Sequence, residues 1–290
     1  MPQLSLDRLN AYRAQTFCTA PGLRIPSRDA AVEYVQQRGF VYFWPISGIV
    51  LPSLWVAVAG DRPVADDHDD PGHATWGWKD SLLGQRQWYY AKVLRKRATM
   101  ISFAAAPFFY ALTENYGAPD EDYLTLYEQG RMPLETRTVY EVLLDRGPMD
   151  TVALRKAARM TSRESNTRFE RALADLQADF KIVPVGVTEA GAWHYSFAYN
   201  VVHRVYPDLL EQARFIGELD ARQKLIELYF RSVGAAQMRD VVKLFGWLPA
   251  DVQQAIDRLV KAGILLQGVE LANHGSAGIA LVELLEARVV

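Results

Sequence analysis

A pattern of three short helices followed by two strands occurs twice in the C-terminal half of this 290-residue chain. In the first copy, apolar residues at helical spacing predict helices over 136–145 and 150–160, and a third from an N-cap at Thr161-Ser162 to about residue 179. Strands over 181–187 and 192–199 follow, and the turn signal at 188–191 joins them. The second copy predicts helices over 222–231, 238–245 and 249–262, and strands over 264–271 and 279–285.

The two copies share a short motif in their third helices. Ala172 and Leu176 in the first copy correspond to Ala255 and Leu259 in the second, and a strand follows each pair. Three helices and a hairpin form the winged-helix plan, in which the hairpin is the wing. The sequence therefore predicts a mainly α fold with small β-hairpins (α+β), built from tandem winged helix-turn-helix modules.

The N-terminal half has a less regular pattern. It predicts helices over 6–17, 27–38 and 52–59, with Ser27 as an N-cap and Gly39 as the end of the second helix. Residues 76–83 read as irregular, 87–97 as a basic helix or extended segment, and 107–116 and 123–128 as aromatic-rich helices. We expect four units: a degenerate winged-helix-like unit over 1–103, connecting helices over 104–135, a winged helix over 136–207 and a C-terminal winged helix over 208–290.

The charge and the apolar pattern limit the partners. The net charge is −2, so a nucleic-acid site must be a local basic patch rather than a global field. The single cysteine, Cys18, excludes an internal disulfide and argues against a cysteine-based zinc site. Residues 1–13 lack an apolar signal core, and the longest apolar stretch, 46–60, is too short and interrupted to span a bilayer. We expect a cytoplasmic protein with no membrane partner.

The third helix of the first copy has the composition of a DNA-reading helix. Side chains at the start of such a helix reach base edges and phosphates when the helix enters the major groove. The alternative is an ordinary solvated helix face, and the equivalent helix of the second copy, which is not basic, is expected to be structural. The predicted DNA contacts on this helix and the preceding one are Arg155, Lys156, Arg159, Arg163, Asn166, Thr167, Arg168 and Arg171.

A second basic cluster is interleaved with aromatic residues. Cations can hold phosphates while rings stack on exposed bases, although large aromatic residues are more often part of a core. Lys92, Arg95 and Arg97 are predicted DNA contacts in this cluster. The other members are Lys79, Arg86 and Lys96, with Trp76, Trp78, Trp88, Tyr89 and Tyr90 between them.

The sequence gives little support for a metal site, a cofactor site or a catalytic serine. The acidic run Asp66 to Asp70 with His73 contains metal-ligand types, but Pro71-Gly72 make an exposed loop the better interpretation, and we predict no metal site. His194 and His203 lie near the predicted wing and are expected to pack or to form hydrogen bonds. The chain has no phosphate-cradling glycine loop, serine nucleophile elbow or dinucleotide fingerprint, so no cofactor is predicted.

The chain resembles the helix-turn-helix DNA glycosylases of the AlkZ and YcaQ group, and most of all the AlkZ-related proteins. The opening helix LDRLNAYRAQTF, the segment YVQQRGFVYFW over 34–44 and Leu54-Trp55 resemble stretches of that family, and 136–207 resembles its tandem winged helices. The resemblance implies binding to DNA that carries crosslinks or bulky alkylated purines, with release of the damaged base.

The residues that would carry this chemistry differ here. In the family, a Gln-x-Gln or Gln-x-Asp pair after a Gly-x-Val step positions the water that attacks the sugar. The corresponding residues are Tyr42 and Trp44, neither of which orients water as an amide or carboxylate does. The carboxylates that could substitute are Asp80, Glu114 and Glu33.

We therefore predict a winged-helix protein that binds duplex DNA and recognises damage without excising bases. Two alternatives stay open: an active glycosylase with altered catalytic residues, and a winged-helix protein-interaction or regulatory module. The sequence predicts no oligomeric state.

Overall fold

A computed structural model describes residues 2–20, 22–64, 70–115, 117–191, 193–271 and 277–286 of the chain. The acidic run singled out in the sequence lies mostly outside these residues, since 65–69 fall in one of the gaps. Residues 272–276, which lie between the two predicted strands of the second copy, also fall outside them.

The N-terminal half combines six helices with a small antiparallel sheet. Its elements in chain order are β1 (Gln3–Leu4), α1 (Leu6–Thr16), α2 (Arg28–Arg38), β2 (Phe40–Tyr42), α3 (Leu54–Ala59), α4 (Ala74–Ser81), β3 (Tyr89–Lys92), β4 (Ala98–Ile101), α5 (Ala106–Tyr110) and α6 (Asp122–Glu128), with short 3₁₀ turns at Pro71–His73 and Leu94–Lys96. The sheet has the order β2-β4-β3. It brings the segment after Gly39 against the segment that contains the second basic cluster.

The step from α2 to β2 has the local structure that the sequence predicts. The Ser27 hydroxyl accepts a hydrogen bond from the Ala30 N–H at the start of α2. Gly39 ends the helix with φ of 81°, and Leu228 lies 2.8 Å from where a Cβ would be. Glycine is therefore required both by the left-handed backbone and by the close approach of Leu228.

The middle of the chain forms the first complete three-helix and hairpin unit. It contains α7 (Leu134–Arg146), β5 (Met149–Asp150), α8 (Thr151–Ala157), α9 (Asn166–Ala178), β6 (Ile182–Thr188) and β7 (Ser196–Val201). The strands form a sheet of order β5-β7-β6, in which both pairs are antiparallel. Phe169, Leu173 and Leu176 on one face of α9 are buried in its core, as the helical spacing predicts.

The same order recurs in the C-terminal part. Two linking helices, α10 (Val202–Val205) and α11 (Pro207–Ala213), precede α12 (Glu218–Val233), β8 (Ala235–Ala236), α13 (Met238–Phe245), α14 (Pro249–Lys261), β9 (Leu265–Leu271), β10 (Ala277–Leu281) and α15 (Glu283–Glu286). The sheet order is β1-β9-β10-β8, and β1 adds in parallel to β9. Each unit thus has a helix, a short strand, two helices and a hairpin, which is the winged-helix element order. The mainly α fold with small hairpins is confirmed.

Several predicted boundaries are wrong. Residues 76–83 are largely helical in α4 rather than irregular, and 87–97 form β3 and a 3₁₀ turn. α8 ends at Ala157 because Arg159 has φ of 56°, and α9 begins at Asn166 rather than just after Ser162. α12 begins at Glu218, four residues before its predicted start.

One hydrophobic core joins the two ends of the chain. Leu4, Phe40 and Tyr42 from the N-terminal half belong to the same buried cluster as Leu225 and Ile256 from the C-terminal unit. The middle unit has a separate cluster that includes Tyr140, Leu154 and Phe169. The division into four units stays a prediction, and the shared core shows that the first and last of these units are packed together.

Candidate nucleic-acid interface

The middle unit presents a basic surface at α8 and the start of α9. The Asp150 carboxylate caps α8 by accepting hydrogen bonds from the N–H groups of Val152 and Ala153, both at 2.9 Å. Residues 151–171 contain six basic and two acidic side chains, so this segment is strongly positive in a chain of net charge −2. The local patch that nucleic-acid binding would require is present in the sequence of these two helices.

Five of the predicted contacts on this surface are exposed and unpaired. In the part of the chain that the structure describes, no side-chain hydrogen bond or ion pair occupies them. We call these residues the recognition face: Lys156, Arg159, Arg163, Asn166 and Thr167. They are available to phosphates and base edges without any internal contact being broken.

Three other predicted contacts are engaged within the fold. The Arg155 guanidinium donates to the carbonyls of Met160 at 2.6 Å and Ser162 at 3.2 Å, so it holds the loop between α8 and α9. Arg168 is paired with Glu135 at 2.8 Å, and Arg171 lies 4.0 Å from Asp175. Arg168 and Arg171 remain exposed, whereas Arg155 has the contacts of a structural residue.

The second basic cluster lies beside α9. The backbone N–H of Lys92 donates to Gln177 Oε1 at 3.1 Å, and Lys96 forms an ion pair with Asp175. Arg95 and Arg97 are exposed on the 3₁₀ turn and after it. We call Lys92, Arg95 and Arg97 the basic turn. The fold thus brings the two basic clusters, which are about 60 residues apart in the sequence, to opposite ends of one helix.

The remaining members of the second cluster are not free surface cations. Lys79 is completely buried, and Arg86 is paired with Asp208 at 2.6 Å and lies over the rings of Phe103 and Tyr206. Trp88, Tyr89 and Tyr90 are core residues, as the alternative interpretation predicts. Lys79 is therefore not part of an open cation-and-ring surface, because aromatic rings and Asp80 enclose it, whereas Arg86 is exposed but paired with Asp208.

Lys79 is enclosed by rings from two parts of the chain. Its Nζ lies 4.4 Å from the ring centroid of Trp76 and 4.6 Å from that of Phe197. It donates to the hydroxyl of Tyr195 at 2.9 Å and pairs with Asp80 Oδ1 at 2.8 Å. Burial lowers the pKa of Lys79 below its ordinary value, and Asp80 opposes this shift. Tyr195 comes from the wing, so this contact fastens the wing to α4.

The tip of the wing is exposed and aromatic. Trp193 is 90% exposed, and Tyr195 and Trp76 are each 37% exposed. The Tyr195 ring lies 6.2 Å from the Trp76 ring. The sequence patterns did not predict this feature, although Trp193-His194-Tyr195, shortly after the turn signal at 188–191, indicates it. His194 adopts a left-handed backbone there, with φ of 50°.

The two positions that the resemblance assigns to the family's polar pair carry aromatic side chains. Tyr42 is fully buried in β2, and its hydroxyl has no hydrogen-bond partner among the described residues. Burial raises the pKa of Tyr42 to about 12, so the phenol stays neutral. Trp44 is half-buried. It contacts the rings of Phe43, Trp55 and Trp76, with centroids 4.9, 6.3 and 5.7 Å away. Neither side chain can position a water molecule as a base would.

We call Phe43, Trp44, Trp55, Trp76 and Tyr195 the ring cluster. It links Phe43 and Trp44, which follow β2, to α4 and to the wing through successive ring contacts. Phe43 and Trp55 are buried, whereas Trp76 and Tyr195 reach the surface. The ring cluster therefore brings aromatic side chains to the surface, and it includes Trp44, which the resemblance assigns to the second position of the polar pair.

The described residues form neither a candidate metal site nor a membrane-spanning helix. These residues contain no group of three or more His, Cys, Asp or Glu side chains that could hold a metal ion, and the Asp66–Asp69 part of the acidic run is not among them. None of the described helices has the length and apolar character needed to cross a bilayer.

Comparisons with known proteins show that the sequence matches one family and that the structure is similar to one solved fold. The sequence profile of the AlkZ-related family matches residues 25–246. The structure is similar to that of the Streptomyces sahachiroi DNA glycosylase AlkZ, with a TM-score of 0.60 and 14% sequence identity over 97% of this chain and 71% of that chain. Identity at this level shows a shared fold. No curated protein matches the chain.

Proposed function

Since the chain belongs to the AlkZ-related family, we propose that it binds duplex DNA and recognises damaged duplex, without base excision by residues 42 and 44. The observation that carries this proposal is the unpaired, exposed recognition face on α8 and α9. Backbone phosphates supply most of the affinity of such surfaces, and base-edge contacts supply specificity. Asn166 and Thr167 are suited to base edges, and Lys156, Arg159 and Arg163 to phosphates.

The basic turn extends the proposed footprint. Arg95 and Arg97 lie on the turn that pairs with the C-terminal half of α9 through Lys96 and Asp175. A duplex that follows α9 along its length would meet both basic groups. The ring cluster and Trp193 would then face a site at which bases are unstacked, since aromatic side chains stack on exposed bases.

Base excision by the family's polar pair is not part of the proposal. The Tyr42 hydroxyl is buried and without a partner, and the indole of Trp44 is a hydrogen-bond donor only. The similar solved structure is a DNA glycosylase by name. The chain shares the fold of that structure, and the two positions that the resemblance assigns to the polar pair carry no group that orients water.

The test is fluorescence anisotropy of a labelled duplex with two matched triple variants. The first replaces Lys156, Arg159 and Arg163 by Gln on the recognition face. The second replaces Arg214, Arg239 and Lys261 by Gln, and these exposed cations lie in the C-terminal unit. We expect the first variant to bind at least about tenfold more weakly at low salt, because three phosphate contacts are lost.

The control variant has the same net charge and is expected to bind like the wild-type protein. Equal weakening in both variants would show that only net charge matters and would refute the recognition face. No binding by the wild-type protein would refute the DNA proposal as a whole.

A protein-interaction role is the second candidate, and one observation favours it. The C-terminal unit and the linker before it expose Phe215 (87%) and Leu248 (70%), and the face of α14 is not basic. Two scattered apolar residues are common on soluble proteins and define no docking surface by themselves. The anisotropy experiment separates the two candidates, because an interaction module has no salt-dependent affinity for DNA.

A further inference from the structure

Lys79 is a buried cation whose aromatic neighbours come from two separate parts of the chain. Five rings surround its Nζ, three from the N-terminal half and two from the wing. The distances from Nζ to the ring centroids are 5.5 Å for Phe43, 4.4 Å for Trp76, 5.4 Å for Tyr90, 5.6 Å for Tyr195 and 4.6 Å for Phe197. Because ring faces attract cations, the ammonium holds rings of both parts around one point.

The same ammonium belongs to a closed set of polar contacts. Lys79 Nζ forms an ion pair with Asp80 Oδ1 at 2.8 Å and donates to the Tyr195 hydroxyl at 2.9 Å. That hydroxyl in turn donates to Asp80 Oδ1 at 2.9 Å. Burial, and after it the Asp80 carboxylate, raise the pKa of Tyr195, so the hydroxyl keeps the proton that it donates. We call Lys79, Asp80 and Tyr195 the wing anchor.

The contacts of Asp80 distinguish it from the other two carboxylates named in the sequence as substitutes for the polar pair. Glu114 is paired with Arg131, and Glu33 is exposed on α2. Among the described residues, Asp80 is the one of these three that is hydrogen-bonded to the wing. Its contacts are those of a residue that holds the hairpin.

Stability does not account for a cation at this position. Burial removes the hydration of the ammonium and lowers the pKa of Lys79, which Asp80 opposes. When a buried ion pair is replaced as a unit by apolar side chains of similar volume, stability is often unchanged or higher. A methionine at position 79 would fill the same space among the rings with no charge to dehydrate. The ion pair is therefore better explained by the directions of its contacts than by their contribution to folding.

The wing anchor fixes the chain next to the tip of the wing. Trp193, which is 90% exposed, lies two residues before Tyr195, and only His194 separates them. Few torsions lie between the anchored residue and the indole, so the position of Tyr195 determines where Trp193 can reach. Apolar ring contacts have no preferred direction, whereas a hydroxyl that both donates and accepts a hydrogen bond is held in one place.

We infer that the wing anchor is a positioning device for damage recognition, in which Lys79 and Asp80 hold Tyr195 so that Trp193 meets an unstacked site in the bound duplex. The inference rests on the proposed function, because a duplex must be bound before the wing can meet it. Lys79 and Asp80 are positioning residues, since they act through Tyr195 and Trp193 and touch no DNA themselves.

Affinity and discrimination then depend on different parts of the molecule. The recognition face contacts phosphates, which every duplex has, whereas an indole stacks where a base is missing or unstacked. Loss of the wing anchor is therefore expected to lower the preference for damaged duplex and to leave the affinity for intact duplex unchanged.

The test compares dissociation constants for an intact duplex and a duplex with one abasic site, measured by fluorescence anisotropy. Tyr195→Phe keeps every ring and the ion pair between Lys79 and Asp80, and removes only the hydroxyl. A triple variant, Lys79→Met with Asp80→Leu and Tyr195→Phe, replaces the polar set by apolar groups as a unit. The control, Arg86→Met with Asp208→Leu, removes an ion pair of the same net charge that joins the N-terminal half to α11.

We expect wild-type protein to bind the abasic duplex at least about fivefold more tightly than the intact one, the factor that one stacked aromatic side chain provides. Both anchor variants are expected to lose most of this preference and to bind the intact duplex within about twofold of the wild type, because the phosphate contacts remain. The control is expected to keep the preference. The denaturant midpoint of the triple variant is expected to equal or exceed that of the wild type.

A double-mutant cycle with Trp193 separates positioning from a general structural effect. Trp193→Ala is expected to remove the preference of the wild-type protein and to have little further effect in the Tyr195→Phe background, because the anchor acts through the indole. If the anchor has a structural role only, the effect of Trp193→Ala is the same in both backgrounds.

Three results would overturn the inference while wild-type protein still prefers the abasic duplex. These are an unchanged preference in both anchor variants, a full effect of Trp193→Ala in the Tyr195→Phe background, and a lower denaturant midpoint for the triple variant than for the wild type. Equal binding of the two duplexes by wild-type protein would overturn it together with damage recognition. Absence of binding to either duplex refutes the proposed function itself, so the failures are distinguishable.

Discussion

Tyr42 is the residue that the resemblance assigns to the first position of the family's polar pair. Its side chain is buried in β2 beside the rest of the core, and burial raises its pKa to about 12. The hydroxyl has no partner among the described residues, so it lost its hydrogen bonds to water on folding and gained none. Such a group adds nothing to the stability of the fold and cannot orient a substrate water.

The first prediction concerns this hydroxyl. Tyr42→Phe removes a buried polar atom without a partner and keeps the ring, so we expect the free energy of unfolding to be unchanged or higher by about 1 kcal/mol. Denaturant unfolding of both proteins measures this difference, and DNA affinity is expected to be the same. A loss of more than about 2 kcal/mol, or a loss of DNA binding, would show that the hydroxyl has a partner or a role.

His203 gives the second prediction, which concerns pH. It follows the wing, and its Nε2 lies 3.1 Å from Asp120 Oδ1. Burial lowers the pKa of His203 below its ordinary value, Arg204 lowers it further, and Asp120 raises it. In the window between the lowered pKa and about 6.5, the unfolded chain binds a proton at this position and the folded chain does not. Stability should therefore fall as the pH drops through this window.

The comparison with His203→Gln isolates this residue from other titrating groups. We expect wild-type protein to lose more unfolding free energy than the variant between about pH 7.5 and about pH 5.5. Denaturant midpoints at the two pH values provide the measurement. Equal losses would show that His203 has the same pKa in the folded and unfolded states.

Lys79 shows which residue-scale features the sequence could not predict. Its neighbours in the sequence are basic and aromatic, which indicated an exposed contact surface. In the structure its ammonium is enclosed by Tyr195 and Phe197, more than 110 positions downstream. A local pattern carries no information on such partners. By contrast, Asp80 was named as a candidate carboxylate from its residue type alone, and only the fold gave it a location.

At the scale of elements, the turn from α8 to α9 determines how the recognition face is presented. α8 ends at Ala157, shortly before Arg159, whose backbone is left-handed, and the chain crosses to α9 through residues held by Arg155. The sequence predicted the helices but placed the start of α9 near Ser162, because Thr161-Ser162 has the composition of an N-cap. The capping pattern could not predict the hydrogen bonds that Arg155 donates to the backbone carbonyls of this turn.

The third prediction contrasts two neighbouring cations on α8. Arg155→Met removes charged hydrogen bonds to the carbonyls of Met160 and Ser162, so we expect a loss of about 2 kcal/mol in unfolding free energy. Lys156→Met removes an exposed cation with no internal partner, so stability is expected to be unchanged while the salt dependence of DNA affinity falls by about one phosphate contact.

Denaturant unfolding and a salt series of anisotropy titrations provide the two measurements for these variants. The opposite pattern, with Lys156 structural and Arg155 needed only for DNA, would contradict the assignment of the two side chains.

Caps and turns were the most predictable elements of the fold. Ser27 caps α2, Gly39 ends it with positive φ, and the hairpin turn after 188 lies where the turn residues indicated. These features depend on contacts within a few residues. Helix boundaries failed where a distant side chain or a left-handed residue intervened, as at Arg159 and at α4.

At the scale of the whole molecule, packing unites features that are separate in the sequence. The basic turn lies against the C-terminal half of α9, and the wing of the middle unit reaches α4 through Tyr195. The ring cluster lies between these contacts and the β2 strand. The candidate interface therefore includes residues from the N-terminal half and from the middle unit, and neither half of the chain contains it alone.

The repeated order of elements could be predicted from the sequence, whereas the packing of the two ends of the chain could not. The repeated helix and hairpin pattern followed from periodicity, because each copy contains its own local signals. The core that joins β1 and β2 to the C-terminal unit had no such signal, since the parallel pairing of β1 with β9 connects residues more than 260 positions apart. The candidate site depends on long-range contacts of this kind, which explains why its residues were only partly predicted.

The most direct test of the account is the salt dependence of binding to labelled duplexes, one intact and one with an abasic site. We expect the dissociation constant of the wild-type protein to rise at least about tenfold between about 50 and about 200 mM salt, because several phosphates are contacted. We also expect tighter binding to the abasic duplex, because its unstacked site is open to the ring cluster and Trp193. Affinity that does not change with salt, or no binding at low salt, would contradict the account and leave the two three-helix and hairpin units without a DNA partner.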